Sequence, residues 1–184
     1  MRVITGSFRG RKLETVDDRT VRPTSDKVKG SLFNIISEYV FDSKFLDLFA
    51  GSGAIGIEAL SRGAANASFI DISNDSLKVL RKNLSTLHIE DKIEIYNADY
   101  KTAIEKFKVR NIKFDIIFID PPYCRGIAQD ALEQVEEANV LSHNGIIAIE
   151  HDEKDVMPQN LGKLFLLKQK KYGSTKLSFY TYEK

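Results

Sequence analysis

A glycine-rich stretch followed by an acidic residue carries the clearest chemical signal in the sequence. Gly51, Gly53 and Gly56 have the spacing G-x-G-x-x-G, between a short apolar run and a segment with helical spacing. Asp71 stands 20 residues after Gly51, at the end of the next apolar run. Glycines let the backbone turn sharply and approach a ligand, and an acid at that place can bind two ribose hydroxyls. The pattern predicts a nucleotide-type cofactor and leaves NAD and S-adenosylmethionine open.

Two further carboxylates favour S-adenosylmethionine. Asp47 lies four residues before Gly51, where it can accept hydrogen bonds from the ammonium group of that cofactor, directly or through water, and where a pyrophosphate would be repelled. Asp99 ends the third apolar run and can accept the adenine amino group, although it can also simply cap the following helix. The residues predicted to bind the cofactor are Asp47, Gly51, Ser52, Gly53, Asp71, Ile72 and Asp99.

A second motif, Asp120-Pro121-Pro122-Tyr123, follows the fourth apolar run. Two consecutive prolines fix the backbone and remove two N–H donors, so that the carbonyls are held outward as acceptors. Acceptors that take both protons of an exocyclic amino group localise its lone pair, and a stacked ring orients the base toward a methyl donor. We therefore predict Asp120, Pro121, Pro122 and Tyr123 as catalytic residues. The alternative is a tight turn after a strand.

The elements that must position these motifs alternate between apolar runs and helical patterns. This alternation implies a parallel sheet with helices on both faces. The tail has alternating character on both sides of Gly173-Ser174, which predicts an antiparallel C-terminal hairpin. The expected fold is α/β and Rossmann-like, with a mostly parallel seven-stranded sheet. Its first five strands are expected near residues 45–49, 67–71, 93–96, 114–119 and 145–149, with helices near 55–62, 74–87, 101–109 and 128–138.

We divide the chain into a small extension, residues 1–40, and a catalytic domain, residues 41–184. Residues 2–13 indicate a short β-hairpin that turns between Gly6 and Gly10. Pro23-Thr24-Ser25-Asp26 is a helix-start signal, and apolar residues follow it at helical spacing. A helix is therefore expected over about residues 25–39.

Motifs spread over nearly the whole chain resemble those of one protein family. They are Asp47–Gly53, Glu58–Ala64 and Asp120–Tyr123, together with Gly6–Leu13, Arg22-Pro23-Thr24 with Asp26, Leu32–Ile35, and Tyr172-Gly173 with Leu177. They look like those of the bacterial RsmD-type methyltransferases. The resemblance implies a class I methyltransferase fold, S-adenosylmethionine as cofactor with S-adenosylhomocysteine as product, and methylation of the N2 amino group of a guanine in 16S ribosomal RNA. Asp71 stands where we expect Glu in this family, and Ser52 where Thr is frequent.

Charge is distributed unevenly, although the formal net charge is only +1. Residues 1–30 carry +4 and residues 156–184 carry +5, whereas residues 90–155 carry −7. With the resemblance, the basic N-terminal flank becomes an expected RNA surface, although each of its side chains can also be simply solvated. The predicted RNA contacts are Arg9, Arg11, Arg22, Thr24 and Lys27. The expected partner is 16S ribosomal RNA, within the small subunit or an assembly intermediate.

Composition limits the classes of protein to which the chain can belong. With 184 residues, 42% hydrophobic and 29% charged, the chain is expected to be a soluble, cytoplasmic monomer. No apolar stretch approaches the roughly 18 residues of a membrane helix. A single cysteine, Cys124, and no Cys/His cluster predict neither a disulfide nor a metal site. Three alternatives stay open: an adenine-N6 methyltransferase acting on DNA or RNA, an NAD-dependent oxidoreductase, and a non-catalytic RNA-binding assembly factor.

Overall fold

The computed structural model describes residues 1–16, 26–122 and 126–182. Elements in these ranges alternate much as the apolar runs predict. They are α1 (Asp26–Ile35), α2 (Ser37–Val40), β1 (Lys44–Asp47), α3 (Ala54–Ser61), β2 (Asn66–Asp71), α4 (Asn74–Thr86), β3 (Ile93–Asn97), α5 (Tyr100–Val109), β4 (Phe114–Ile119), α6 (Ile127–Ala138), β5 (Leu141–Asp152), β6 (Asn160–Leu161), β7 (Leu164–Tyr172) and β8 (Thr175–Tyr182).

The strands form one sheet in the order β3-β2-β1-β4-β5-β8-β7-β6. β1 lies between β2 and β4 and is parallel to both, and β5 is parallel to β4. Strand order reverses at β1, and ligands of open α/β sheets bind in the crevice at the carboxyl ends of strands where such a reversal occurs. The end of β1, which leads into the glycine-rich stretch, lies at this crevice.

The antiparallel part of the sheet confirms the predicted C-terminal hairpin and adds one strand to it. β8 is antiparallel to both β5 and β7. β6 pairs only Asn160 and Leu161 with the start of β7, which makes the sheet eight-stranded in place of the seven strands expected. Two residues are too few to show an alternating pattern, so this edge strand leaves no signal in the sequence.

Helices cover both faces of the sheet, as predicted. Side chains of successive strand residues point to opposite faces, so Phe45 joins the cluster under α1, α3 and α4, whereas Leu46 joins the cluster under α5 and α6. Both side chains are fully buried, as expected for a strand covered on both faces. Among the described residues no helix combines the length and apolar character needed to cross a bilayer.

The N-terminal elements are shorter than predicted. In place of a regular hairpin, Arg2 and Lys12 form one isolated antiparallel bridge. The helix expected over 25–39 is interrupted at Ile36, where φ −92° and ψ 10° separate α1 from α2. Its predicted start signal at residues 23–25 lies outside the described residues, and α1 begins at Asp26. Val3, Leu13 and Val28 belong to the same buried cluster as α3 and α4, so the extension packs directly on the sheet domain.

Candidate functional site

The loop after β1 is held by hydrogen bonds to β2 and β4, the two strands that flank β1. The Leu48 amide donates to the Phe118 carbonyl of β4 at 3.0 Å, and the Ala50 amide donates to the Ile70 carbonyl of β2 at 2.8 Å. A further bond of 2.7 Å from the Gly53 amide to the Ala50 carbonyl closes the turn. These bonds fix the glycine-rich stretch at the carboxyl edge of the sheet, as the sequence predicts.

The three glycines of this loop have different physical roles. Gly51 and Gly53 have φ of +54° and +79°, a region that glycine enters readily. A Cβ at Gly53 would lie 2.2 Å from a methyl carbon of Leu80, and one at Gly56 would lie 2.3 Å from the Phe69 ring. These two glycines let α3 pack closely. Only Gly51 faces open space, with no atom within 4 Å of its added Cβ, so that position is available to a ligand.

Asp71 holds both of the turns that follow the first two strands. One carboxylate oxygen accepts the Gly51 amide at 2.7 Å, and the other accepts the Ser73 amide at 2.8 Å. The side chain is partly exposed at the end of β2. It is therefore beside the open face of Gly51, where the predicted ribose contact requires it. Ribose binding itself stays a prediction.

Asp47 is buried beneath the glycine loop, with 1% of its surface exposed. Its carboxylate accepts the Gly56 amide at 3.0 Å, which anchors the start of α3 to the end of β1. Burial raises the pKa of Asp47 to about 7; the bond from Gly56 opposes this rise, and the neighbouring Asp71 charge adds to it. A cationic group above the loop would favour the ionised form of Asp47. The predicted contact with the cofactor ammonium stays a prediction.

Asp99 and Ile72 lie at the ends of the next two strands. Asp99 caps α5 by accepting the Lys101 amide at 2.9 Å, which is the alternative role considered for it, and this leaves its predicted adenine contact untested. Ile72 is 71% exposed, which is unusual for a side chain of this size. Asn97 holds the turn beneath it by donating to the carbonyls of Asp71 and Ile72 at 3.2 and 3.1 Å. An apolar side chain is thus held in the open, as packing against a flat base requires.

The second motif begins directly at the end of β4. Phe118 is in register with Asp47 of β1, so Asp120 and Pro121 stand at the same edge as the glycine loop. Asp120 is partly buried, Pro121 is buried and Pro122 is exposed. Tyr123 lies outside the described residues. The structure therefore brings the first three members of the motif to the predicted crevice.

A side-chain group that the sequence analysis missed flanks this crevice. The rings of Phe49 and Tyr100 lie 5.2 Å apart, and the Tyr100 hydroxyl donates to Asp130 on α6 at 2.5 Å. Partial burial, reinforced by this bond, raises the pKa of Tyr100, and the same bond lowers the pKa of Asp130. These contacts tie the loop after β1 to the starts of α5 and α6. No local sequence pattern indicates them, because each partner comes from a different element.

Asn83 connects the glycine loop to the N-terminal extension. Its side-chain amide nitrogen donates to the Ser52 carbonyl and to the Glu14 carbonyl, each at 3.0 Å, and its oxygen accepts the Glu14 amide at 2.8 Å. Asn83 is buried on α4, where the helical pattern alone offers no reason for a polar residue. The position of Ser52 therefore depends on the segment that leads toward the predicted RNA-facing residues.

Glu58 is a second buried anchor for the extension. Its carboxylate lies 3.3 Å from the Lys29 ammonium and 2.9 Å from the Arg62 guanidinium, and it accepts the amides of Ile4 and Thr5 at 2.8 and 3.0 Å. Burial lowers the pKa of Lys29, while the charge of Glu58 opposes that shift. A buried carboxylate needs this full set of partners. The charged residues inside the core thus serve to hold residues 1–5 against α3.

The structure describes three of the five predicted RNA contacts, two in the N-terminal loop and one on α1. Arg9 belongs to the loop that lies against Ser61 at the far end of α3 from the glycine loop, and Arg11 donates to the Thr86 carbonyl at the end of α4 at 3.2 Å. Lys27 is exposed on α1. Arg22 and Thr24 lie outside the described residues.

No group of three or more His, Cys, Asp or Glu side chains in the described ranges is placed to hold a metal ion.

Fold and site together define a class I methyltransferase with a Rossmann-like sheet. The solved structure of the yhhF protein from Escherichia coli has the same fold, with a TM-score of 0.88 and 32% identity over 100% of this chain and 98% of that chain.

Sequence comparison makes the assignment more specific. The family model described as conserved hypothetical protein 95 matches residues 1–181. The ribosomal RNA small subunit methyltransferase D of Haemophilus influenzae is 36% identical over 98% of this chain and 93% of that protein. The protein of the same name from Escherichia coli K12 is 33% identical over 100% of this chain and 90% of that protein. The chain belongs to this family, the RsmD family of ribosomal RNA methyltransferases, and the resemblance seen in the motifs is confirmed.

Proposed function

We propose that the protein transfers a methyl group from S-adenosylmethionine to the exocyclic N2 amino group of a guanine in 16S ribosomal RNA. The observation that carries the proposal is the common edge of β1 to β4. There the glycine loop, Asp71 and Ile72 stand beside Asp120, Pro121 and Pro122. A cofactor site and an acceptor-rich motif on one edge are what methyl transfer to an amine requires.

The residues present fit this cofactor. Open space above Gly51 admits the ribose and methionine parts, and the Asp71 carboxylate beside it can accept ribose hydroxyls. Asp47 supplies negative charge below the loop for an ammonium group, and the exposed Ile72 side chain can pack against adenine with Asp99 at its amino edge. When bound, S-adenosylmethionine supplies an electrophilic sulfonium methyl group. The product of transfer is S-adenosylhomocysteine.

The Asp120 carboxylate and the carbonyls held by the two prolines act on the guanine amine. By accepting its two protons they localise the nitrogen lone pair, which is otherwise delocalised into the ring. Tyr123 is proposed to stack on the base and hold it in line with the methyl group. The N–C bond forms as the C–S bond breaks, and the nitrogen then loses one proton to Asp120 or water. No stronger base is needed, because the nitrogen becomes acidic as the bond forms.

Residues 1–40 are proposed to face the RNA, and residues 41–184 to carry the methyl-transfer site. Arg22 and Thr24 precede α1 in the sequence, Lys27 belongs to α1, and Arg9, Arg11 and Lys27 supply positive charge along the extension. The target base must leave its stack to reach the motif at the end of β4. We place the reaction in the cytoplasm, on the small subunit or an assembly intermediate, with a monomeric enzyme.

A transfer assay tests the proposal. Small subunits from cells lacking the gene are incubated with the protein and labelled S-adenosylmethionine, and the RNA nucleosides are mapped by mass spectrometry. We expect N2-methylguanosine at one position of 16S RNA, and its loss with Asp120→Ala while S-adenosylhomocysteine still binds. Label in N6-methyladenosine would contradict the choice of base. If calorimetry shows binding of NAD but no binding of S-adenosylhomocysteine, the cofactor assignment is overturned. Full cellular complementation by Asp120→Ala would favour a non-catalytic assembly role.

A further inference from the structure

A basic groove lies between the first helix and the C-terminal hairpin, outside the site described above. Its volume is about 580 Å³. One wall is α1 and the other is β7. The lining residues are Asp26, Lys27, Gly30, Ser31, Asn34, Ile35, Lys168, Lys170 and Tyr172.

The groove has a positive charge that its own acid does not cancel. Lys27, Lys168 and Lys170 are all exposed, and among the described residues no ion pair joins them to an acid. Asp26, the acid of the lining, is already paired with Arg2 at 3.2 Å. Three free ammonium groups along one groove are suited to a chain of phosphates, because each neutralised phosphate releases a counterion.

An aromatic side chain stands at one end of the groove. The Tyr172 hydroxyl is hydrogen-bonded to the Ser31 hydroxyl across the groove, which fixes the ring at the end of β7. Bases of single-stranded nucleic acids stack on rings of this kind while their phosphates follow nearby cations. Volumes of roughly 300–1,000 Å³ are typical of small-ligand sites, so the groove of about 580 Å³ is large enough for a few nucleotides of a single strand.

The groove opens at the same edge of the sheet as the catalytic motif. Ile119 of β4 is in register with Ile149 of β5, Ser178 of β8 and Gln169 of β7, so Lys170 and Tyr172 lie at the level where Asp120 leaves the sheet. Three strand spacings separate β4 from β7, which is roughly 14 Å. A nucleotide strand can therefore occupy the groove while a neighbouring base reaches the Asp120 motif.

Gly30 supports a binding role for this surface. It occupies the middle of α1, where glycine weakens a helix, and no atom lies within 4 Å of a Cβ added there. Packing therefore does not explain why this position lacks a side chain. Because Gly30 has no side chain, the groove stays open along α1.

We propose that this groove binds a single-stranded segment of the RNA substrate next to the target base. The proposal rests on the function proposed above, since it names the part of the RNA that the enzyme recognises. Lys27, Lys168 and Lys170 hold the phosphates, and Tyr172 stacks on one base. The basic C-terminal hairpin thus joins the N-terminal extension in substrate recognition.

Binding is measured by fluorescence anisotropy with the full chain and a fluorescein-labelled, guanine-containing single-stranded oligoribonucleotide, at several salt concentrations. We expect Lys168→Ala/Lys170→Ala to weaken binding roughly tenfold and to lower the log–log salt slope by about 1.4, since each phosphate contact on a single strand contributes about 0.7. The matched control, Lys44→Ala/Lys92→Ala, removes the same charge from exposed positions at the start of β1 and just before β3, where no ion pair among the described residues is lost, and should leave both quantities unchanged.

A second variant separates groove filling from misfolding. Gly30→Gln replaces a helix-weakening residue by a neutral helix former, so we expect a melting temperature that is unchanged or higher, together with weaker RNA binding. Affinity for S-adenosylhomocysteine, measured by calorimetry, should stay unchanged in all variants. In the transfer assay, KM should rise while kcat is preserved.

The outcomes separate this proposal from the function proposed above. Unchanged RNA affinity in both groove variants overturns the proposal that the groove binds RNA, even if methyl transfer is confirmed. An equal loss in the control variant also overturns it, because only overall charge would then matter. A selective loss of duplex RNA binding would replace a single-strand site by a duplex site. Weakened single-strand binding supports the groove even if the methylated base proves not to be guanine.

Discussion

Replacing Asp47 by Asn should change how stability depends on pH. Asp47 is 1% exposed and accepts one hydrogen bond, from the Gly56 amide. Asp47→Asn keeps an oxygen that can accept this bond and has nearly the same volume, but it removes the ionisation. The substitution therefore isolates the free energy of holding a carboxylate under the glycine loop.

The magnitude follows from the shifted pKa. Burial raises the pKa of Asp47 from 3.8 to about 7. Between these values the folded protein keeps the proton and the unfolded chain does not, so the free energy of unfolding falls as pH rises through this window. A shift of about three pKa units corresponds to about 4 kcal/mol. This destabilisation is complete above about pH 7 and absent below about pH 4.

Urea unfolding of both proteins at a series of pH values measures the effect. Titrating groups that do not interact with Asp47, including His151, whose pKa is lowered by burial, contribute equally to both proteins and cancel in the difference. We expect the stability of Asp47→Asn relative to the parent protein to increase by about 4 kcal/mol as the pH rises from about 4 to 8. A difference that does not vary with pH would refute the assignment of a buried, protonated carboxyl group.

Three further substitutions test the loop and its supports. Gly51→Ala should cost only about 1 kcal/mol of stability, because its φ of +54° is strained but the space is open, yet it should weaken S-adenosylhomocysteine binding about tenfold or more in calorimetry. Asp71→Ala removes the acceptors of two loop amides and should lower both stability, by about 2 kcal/mol, and cofactor affinity. Asn83→Ala should cost about 2–3 kcal/mol in urea unfolding, whereas the exposed control Thr86→Ala should stay within about 0.5 kcal/mol. An Asn83 variant as stable as the control would contradict the proposed connection to the extension.

Local patterns were sufficient to predict the elements that position the site. A helix is predicted near residues 74–87, and Ser73, a residue type that favours helix N-caps, precedes α4 with its hydroxyl accepting the Ser76 amide at 3.2 Å. The apolar run at Phe114–Ile119 is a buried strand, and the glycine spacing places the loop after β1. These features depend on residues that are close in sequence, so a single sequence contains their physical causes.

The supports of the site come from contacts between distant residues and could not be predicted in this way. Asn83 meets Ser52 and Glu14, which lie 31 and 69 residues away. Glu58 meets Ile4 across 54 residues. On a helical pattern these positions are simply polar residues on buried faces. Only the packing of α3, α4 and the extension shows which partners satisfy them.

The predicted boundaries of secondary-structure elements are wrong where local sequence preferences and tertiary contacts differ. β5 begins at Leu141 and not at Gly145, because polar residues at 142–144 conceal its first part, and a register shift separates the Phe114–Leu141 pair from the Ile116–Ile146 pair. The sequence also does not indicate the groove between α1 and β7, because lysines on a strand near the C-terminus are typical of a solvated strand edge. Their proximity to α1 exists only in the folded chain.

A crystal structure of the protein with S-adenosylhomocysteine is the most direct test of the central claim, that one edge of the sheet holds both the cofactor and the amine acceptor. We expect ribose hydroxyls at the Asp71 carboxylate, adenine against Ile72, and the sulfur atom facing Asp120 and Pro121. A product molecule bound away from the end of β4, or with its sulfur directed away from the double proline, would contradict this expectation.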